Sequence, residues 1–340
     1  MTTACGVRTS TLDPQVYALM RDYTGDVPGA SLLVLRDGVP IVRRAYGLAD
    51  LEAGAATTPR TNYRLASVSK QFTAAAILLL AERGRLRLDD RVRAWLPTLP
   101  AAADTVTLHH LLTHTSGLLD YEALMDPADP QQVQDLDVLR LLEAREQMYF
   151  APGTAYRYSN SGYALLALVV ERASGQRHAD FLRERVFLPL GMERTLAYEA
   201  RRSGVADRAY GYSFERGAWR RTDQDATSAV LGDGGIYSSI DDLARWDAAL
   251  YDERLLKAAS WRLAFTPATD TDDPGVRYGY GWRVSGETLW HSGESIGFRN
   301  VIVRYPRRRL TVVLLTNRND PEPYDLARRI AALAMADPAA

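Results

Sequence analysis

The chain has 340 residues, 46% of them hydrophobic and 24% charged, an ordinary globular composition that accommodates one large domain or two interleaved ones. Its 41 basic and 42 acidic side chains leave a net charge of −1, so there is no electrostatic footprint for nucleic acid. A single cysteine, Cys5, excludes an internal disulfide and a metal cluster built on thiolates.

In chain order, Thr3-Ala4-Cys5-Gly6 resembles the end of a bacterial lipoprotein signal, although no apolar core precedes it. The expectation is a cytoplasmic protein as the chain stands, and a periplasmic or lipid-anchored one if the true start lies upstream. Val16, Leu19, Met20 and Tyr23 have helical spacing over Asp13–Tyr23, which Pro28-Gly29 ends. Ala30–Arg36 and Val39–Tyr46 read as two strands joined at Asp37-Gly38, a strong hairpin signal. Gln71–Gly84 is apolar on nearly every side and ends in glycine, the pattern of a buried helix. Its longest apolar run, Ala74–Ala81, is too short to span a bilayer.

Beyond Leu88 the chain is helix-rich. Short helical pieces are expected over Asp89–Trp95 and Leu108–Leu112, a turn at Thr113–Gly117, and helices over Val133–Glu146, Gly162–Ala173 and Ala179–Val186. Ala206–Ser228 is mixed and polar, and Gly232–Gly235 reads as a flexible turn. Ser239 caps a helix running to Leu250. Strands return at Tyr278–Val284, Thr288–Trp290, Phe298–Tyr305 and Leu310–Thr316, with Arg307–Arg309 as a solvated hairpin tip and a last helix over Pro323–Ala334. Strands at both ends and helices between them give an α+β fold: an antiparallel sheet flanked by helices, built from 1–87 and 262–340, with a mainly helical region over 88–261 inserted and the active site between the two.

Three stretches carry chemistry. In Ser67-Val68-Ser69-Lys70 a hydroxyl and an amine share one face at the mouth of the buried helix. An ammonium is costly there, and a neutral amine beside a hydroxyl can take its proton as the oxygen attacks a carbonyl. A serine three before a lysine is common in proteins, but this chain has only two lysines, Lys70 and Lys257, so the coincidence carries weight. In Tyr158-Ser159-Asn160 a phenol and an amide two apart follow a Pro-Gly break and precede an apolar helix. The phenol can serve as a base beside an ammonium, and the amide can hold a substrate or orient the lysine. Trp290–Phe298 contains both His291-Ser292-Gly293 and the G-x-S-x-G pattern Gly293-Glu294-Ser295-Ile296-Gly297. A nucleophile elbow needs a helix after it, whereas Phe298–Tyr305 reads as a strand, so an edge strand beside a cleft is the better reading. His110 and His114 stand four apart, but Leu111 follows His110 where H-E-x-x-H needs a glutamate, and neither a metal nor a cofactor is expected.

Ser67–Lys70, Tyr158–Asn160 and His291–Gly293, taken in order, resemble the S-x-x-K, Y-x-N and [K/H]-[S/T]-G motifs of the serine β-lactamase/penicillin-binding-protein superfamily. Within it the likeness is to class C β-lactamases, D-alanyl-D-alanine carboxypeptidases and family VIII esterases. Leu111–Leu118 and Gly234–Ser238 resemble recurrent segments of the same group, and the likeness runs from about Pro28 to Thr316. The resemblance implies that Ser67 is the acylated nucleophile and that Lys70 and Tyr158 share proton transfer. It implies that Asn160 contacts the acyl amide or Lys70, that His291 and Gly293 line the pocket, and that the backbone N–H groups of Ser67 and Glu294 form the oxyanion hole. His114 belongs to a recurrent segment away from these motifs and reads as a structural loop histidine. Class C β-lactamases are expected to carry lysine where His291 stands. A mostly neutral histidine there disfavours β-lactam carboxylates and suits uncharged esters.

The expected function is a serine hydrolase acting through an acyl-enzyme on an ester, a D-amino-acid peptide or a β-lactam, in that order. The partner is a small-molecule or peptide substrate, without nucleic acid or a membrane span. Two rivals stand beside it: a non-catalytic or single-turnover penicillin-binding-like sensor, and an α/β-hydrolase using Ser295, which would need a histidine after His291 that the chain lacks.

Overall fold

The computed structural model describes residues 12–337. The Thr3–Gly6 signal-like stretch with Cys5 lies outside the described residues. An antiparallel sheet of eight strands is built from β1 (Ala30–Arg36), β2 (Val39–Tyr46), β3 (Thr269–Asp270), β4 (Arg277–Tyr278), β5 (Arg283–Ser285), β6 (Thr288–Ser295), β7 (Phe298–Tyr305) and β8 (Leu310–Thr316). Its spatial order is β3-β4-β5-β6-β7-β8-β1-β2, so the N-terminal hairpin joins the far side of the C-terminal strands.

Both faces of the sheet are covered, which is why β1 and β8 are apolar at nearly every position rather than alternating. On one face Leu32, Val34, Val312 and Leu314 pack with Leu12 and Val16 of α1 (Leu12–Leu19) and Ile330, Ala331 and Ala334 of α6 (Tyr324–Ala336). On the other face Leu33, Leu35, Val313 and Leu315 join a larger core. That core holds α2 (Lys70–Glu82), α3 (Asp135–Glu143), α4 (Asn160–Ser174) and α5 (Ile240–Ala249). Every residue of α2 from Lys70 to Leu80 is buried, as its all-round apolar composition requires. α4 starts under the Ser159 hydroxyl, which accepts the Gly162 N–H, and stops at Gly175 in the left-handed conformation.

The structure corrects several expected elements. Ser67, expected to share a helix face with Lys70, lies just before the helix: the helix begins at Lys70, and Ala66–Ser69 is a 3-10 turn that opens on Ala66, whose φ is 50°. Tyr278–Val284 is not one strand but β4 and β5, parted at Gly281, whose φ is 74° and whose missing side chain lets it pack on the Lys70 carbonyl. Gly232–Gly235 is no flexible turn. Leu231–Gly234 is one buried helical turn, and a Cβ on Gly232 would collide with the Tyr163 carbonyl of α4. A hairpin, Tyr212–Glu215 with Ala218–Arg221, lies in the stretch that reads only as mixed and polar, because most of its side chains face water and leave no apolar alternation.

Candidate active site

Ser67 sits where the buried face of α2 meets the sheet. In a 3-10 turn side chains three apart eclipse one another. Ser67 and Lys70 are therefore brought together directly, with Lys70 Nζ 2.9 Å from Ser67 Oγ. Ala66, buried and left-handed without being glycine, is the type of strained position that clusters at functional sites.

Lys70 is fully buried, and its ammonium nitrogen has three neighbours. Besides Ser67 it donates to Asn160 Oδ1 at 2.7 Å and to the Asp233 carbonyl at 3.0 Å. The carbonyl can only accept. The Asn160 amide is fixed the same way round, because its Nδ2 donates to Glu122 Oε1 at 2.8 Å. Two of the lysine's tetrahedral directions are thus committed as N–H donors. The remaining one faces Ser67 Oγ, carrying an N–H in the ammonium form and a lone pair in the amine form. Asn160 is itself anchored by its backbone N–H on Asp120 Oδ2 at 2.7 Å.

The Tyr158 ring lies 4.9 Å from Lys70 Nζ, so the four S-x-x-K and Y-x-N side chains converge. Behind Tyr158 stands His114, 1% exposed, its ring centroid 4.3 Å from that of Tyr158. His114 Nδ1 accepts the Ser159 N–H at 3.1 Å, which places the proton of the neutral ring on Nε2. Burial holds its pKa well below the ordinary histidine value, with Lys70 and Arg283 adding to the effect. His114, read as a structural loop histidine in a segment away from the motifs, is brought against one of them: the fold returns Thr113–Gly117 to the underside of the Tyr158 loop.

The cleft beside these groups has about 280 Å³ of open space and is lined by Ser67, Asn160, Asp233, Glu122, Arg64, Glu294 and Ser295 among others. β6 borders it. Its register with β5 ends at Trp290, so from His291 onward its outer edge is released toward the Ser67 turn. Gly293 permits the approach, since a Cβ there would collide with the Leu65 carbonyl. Ser67 and Glu294, the expected oxyanion pair, line the same cleft.

His291 is placed differently from expectation. It is 1% exposed and does not line the cleft. Its Nδ1 lies 2.6 Å from the Ser292 carbonyl and its Nε2 2.8 Å from Tyr278 Oη. Nδ1 must donate to the carbonyl, leaving Nε2 to accept from the phenol. Burial depresses its pKa well below the ordinary value, with Arg283 and Lys70 adding, so the ring is a neutral support for the strand and its neighbours.

Sequence reasoning did not find Glu122, Asp233 or Arg64. Burial, with Asp120 nearby, raises the Glu122 carboxyl. Burial pushes Asp233 up to about 7 despite the opposing pull of Lys70, and Tyr121 Oη hydrogen-bonds its Oδ2 at 3.1 Å. No local pattern marks these residues. The glycines around Asp233, which read as a flexible turn, stand out locally but do not single out the carboxyl.

The Beta-lactamase family matches residues 16–336. Penicillin-binding protein 4* of Bacillus subtilis (strain 168) is 34% identical over 317 residues, covering 87% of this chain and 70% of that protein. A D-aminopeptidase of Gluconobacter oxydans (strain 621H) is 30% identical over 331 residues, covering 94% of this chain, which spans 61% of that enzyme's length. The crystal structure of a penicillin binding protein from Bacillus halodurans superposes with a TM-score of 0.82 at 30% identity, covering 94% of this chain and 98% of that one.

Proposed function

Because this chain belongs to the Beta-lactamase family and is a serine hydrolase, we propose that Ser67 is its acylated nucleophile, with Lys70 and Tyr158 as the proton-transfer pair. The observation that carries the reading is the Lys70 environment, in which two obligate acceptors leave one direction of the amine aimed at Ser67 Oγ. As Oγ bonds to the substrate carbonyl carbon, its proton passes to the Lys70 lone pair. The carbonyl oxygen gains the charge, and the N–H groups of Ser67 and Glu294 are the donors in reach of it. Collapse of the tetrahedral adduct expels the leaving group, which takes a proton from the Lys70/Tyr158 pair. Water then loses a proton to the same pair, attacks the acyl ester and releases the acid, restoring Ser67 O–H. In this reading the cleft is the seam between a sheet part formed by 1–87 and 262–340 and a mainly helical part, 88–261.

Charge ranks the substrates. Three carboxyl groups, Glu122, Asp233 and Glu294, line the cleft, while its Arg64 is 2% exposed and donates to the Ser228 carbonyl. His291 is neutral and sealed. A substrate with a carboxylate near the scissile bond meets no exposed cation here. Short esters and D-amino-acid amides, which place no carboxylate beside the scissile bond, are therefore the preferred substrates; peptides ending in D-Ala-D-Ala, which do, come after them, and β-lactams come last. Similarity to a penicillin-binding protein and a D-aminopeptidase supports the D-amino-acid class. A panel of p-nitrophenyl esters, D-amino-acid amides, D-Ala-D-Ala peptides and nitrocefin, run beside Ser67→Ala, tests the reading. Hydrolysis of the best substrate disappears in Ser67→Ala with folding intact; turnover that survives overturns the assignment of the nucleophile.

A further inference from the structure

We propose that His114 is a positioning residue for Tyr158, clamping the loop on both sides of it. The inference rests on the assignment of Ser67, Lys70 and Tyr158 above. The residue before Tyr158, Arg157, donates its backbone N–H to the His114 carbonyl at 3.0 Å. The residue after it, Ser159, donates its backbone N–H to His114 Nδ1 at 3.1 Å. One residue thus holds both flanking peptides, and its ring packs 4.3 Å from the Tyr158 ring. Tyr158 is left with little freedom to rotate away from Lys70.

The backbone of His114 shows the cost of this arrangement. Its φ is 59°, a left-handed conformation that a bulky non-glycine side chain rarely adopts. Turning the carbonyl toward Arg157 and the ring toward Ser159 from a single residue requires such a reversal. The clamp also works only while Nδ1 is unprotonated, since an N–H there would confront the Ser159 N–H. Burial, reinforced by the charges of Lys70 and Arg283, keeps the ring neutral. His114 Nε2 is buried with no hydrogen-bond partner among the described residues, so the ring is turned to serve Ser159 at the expense of its other nitrogen.

Two substitutions separate the strain from the clamp. Glycine accepts the left-handed backbone but removes ring and acceptor; asparagine tolerates the backbone and offers Oδ1 in place of Nδ1. In His114→Gly, kcat falls about 100-fold with KM changed by less than about threefold, and labelling of Ser67 by a fluorophosphonate slows in parallel. His114→Asn recovers at least about tenfold of that loss. The decisive measurement is a double-mutant cycle of labelling rates with Tyr158→Phe. If His114 acts through the phenol, its removal costs less than about threefold once the phenol is gone. The same cycle with His114→Asn serves should the glycine variant not fold. Parental kcat in folded His114→Gly, or losses that simply multiply with Tyr158→Phe, overturns the inference. A Ser67→Ala control keeps the two levels apart, because persistent hydrolysis there removes the site itself, whereas an inactive Ser67→Ala beside a fully active His114→Gly removes only the clamp.

Discussion

Two serine-bearing stretches border one cleft, and only one is equipped to react. Ser67 follows a left-handed alanine and leads into a buried helix, so its hydroxyl meets Lys70 Nζ at 2.9 Å. Ser295 ends β6 just before the turn at Gly297, and its Oγ has no hydrogen-bond partner among the described residues. The histidine four residues earlier, His291, is turned inward and has both ring nitrogens engaged by Ser292 and Tyr278. Past the Gly297 turn the chain enters β7, not a helix. The motif spelling is equally suggestive in the two stretches. The difference lies in which side chain the backbone brings beside the oxygen, and that is decided by a 3-10 turn in one case and a strand pleat in the other.

Removing that neighbour attacks the difference most directly. Lys70→Ala deletes the proton acceptor and frees Asn160 Oδ1 and the Asp233 carbonyl inside a buried site. Acylation by a short ester is expected to slow by about 10³-fold or more, the scale of positioned acid–base catalysis. Single-turnover kinetics with a p-nitrophenyl ester report it. A rate within about tenfold of the parent would leave Ser67 no better placed than Ser295.

The next effect comes from the seam between the two stretches. Gly293 of β6 lies against the Leu65 carbonyl, where a Cβ has no room. Gly293→Ala must push β6 from the turn that carries Ser67, an overpacking cost of about 1–3 kcal/mol with a displacement of the order that costs about 10²-fold in rate. Thermal melting and kcat/KM measured together separate the two. Loss of stability without loss of rate would mean that β6 does not shape the reacting geometry.

How much of the molecule is legible in its sequence depends on the range of the interactions. β1, β2, β7 and β8 have the bounds that the sequence pattern predicts, because hairpin signals and apolar runs are local. Ser67, Lys70, Tyr158 and Asn160 are legible as motifs, and the fold brings them together. Glu122 and Asp233 are not, since each meets the site through a pairing many residues away, with Asn160 Nδ2 and, through its carbonyl, Lys70 Nζ. His114 is visible but misplaced, because nothing local shows that its loop returns beneath Tyr158. His291 shows the converse: its position in a motif predicts a cleft-facing ring, and burial against Tyr278 turns it into support.

A smaller effect concerns charge under the Ser67 turn. Burial raises the Asp233 carboxyl to about 7, and Asp135, also buried, to about 7. In an unfolded chain an aspartate titrates near about 4. Between those values the unfolded chain has already released protons that the folded one retains, so unfolding releases protons and raising the pH favours it. The stabilisation is complete below about 4 and fades as pH rises through about 7. Urea midpoints at pH 5, 6 and 7 should decline accordingly. Asp233→Asn, whose amide oxygen can still accept from Tyr121 Oη, removes its share of the slope, at most about 1.4 kcal/mol per pH unit. An unchanged slope in that variant would move the titration away from Asp233.

The smallest expected effect completes the contrast. Ser295 lines the cleft but its Oγ is buried without a donor or acceptor among the described residues, so deleting it breaks no hydrogen bond and strands no partner. Ser295→Ala should hold stability within about 0.5 kcal/mol, and kcat/KM within about threefold, for any substrate that does not itself hydrogen-bond to that hydroxyl. The strand geometry is preserved too, because alanine fits the same pleat. A Ser295→Ala loss comparable to that of Ser67→Ala would mean that the hairpin oxygen takes part in the chemistry after all, and that the side chain found beside each serine does not decide which one reacts.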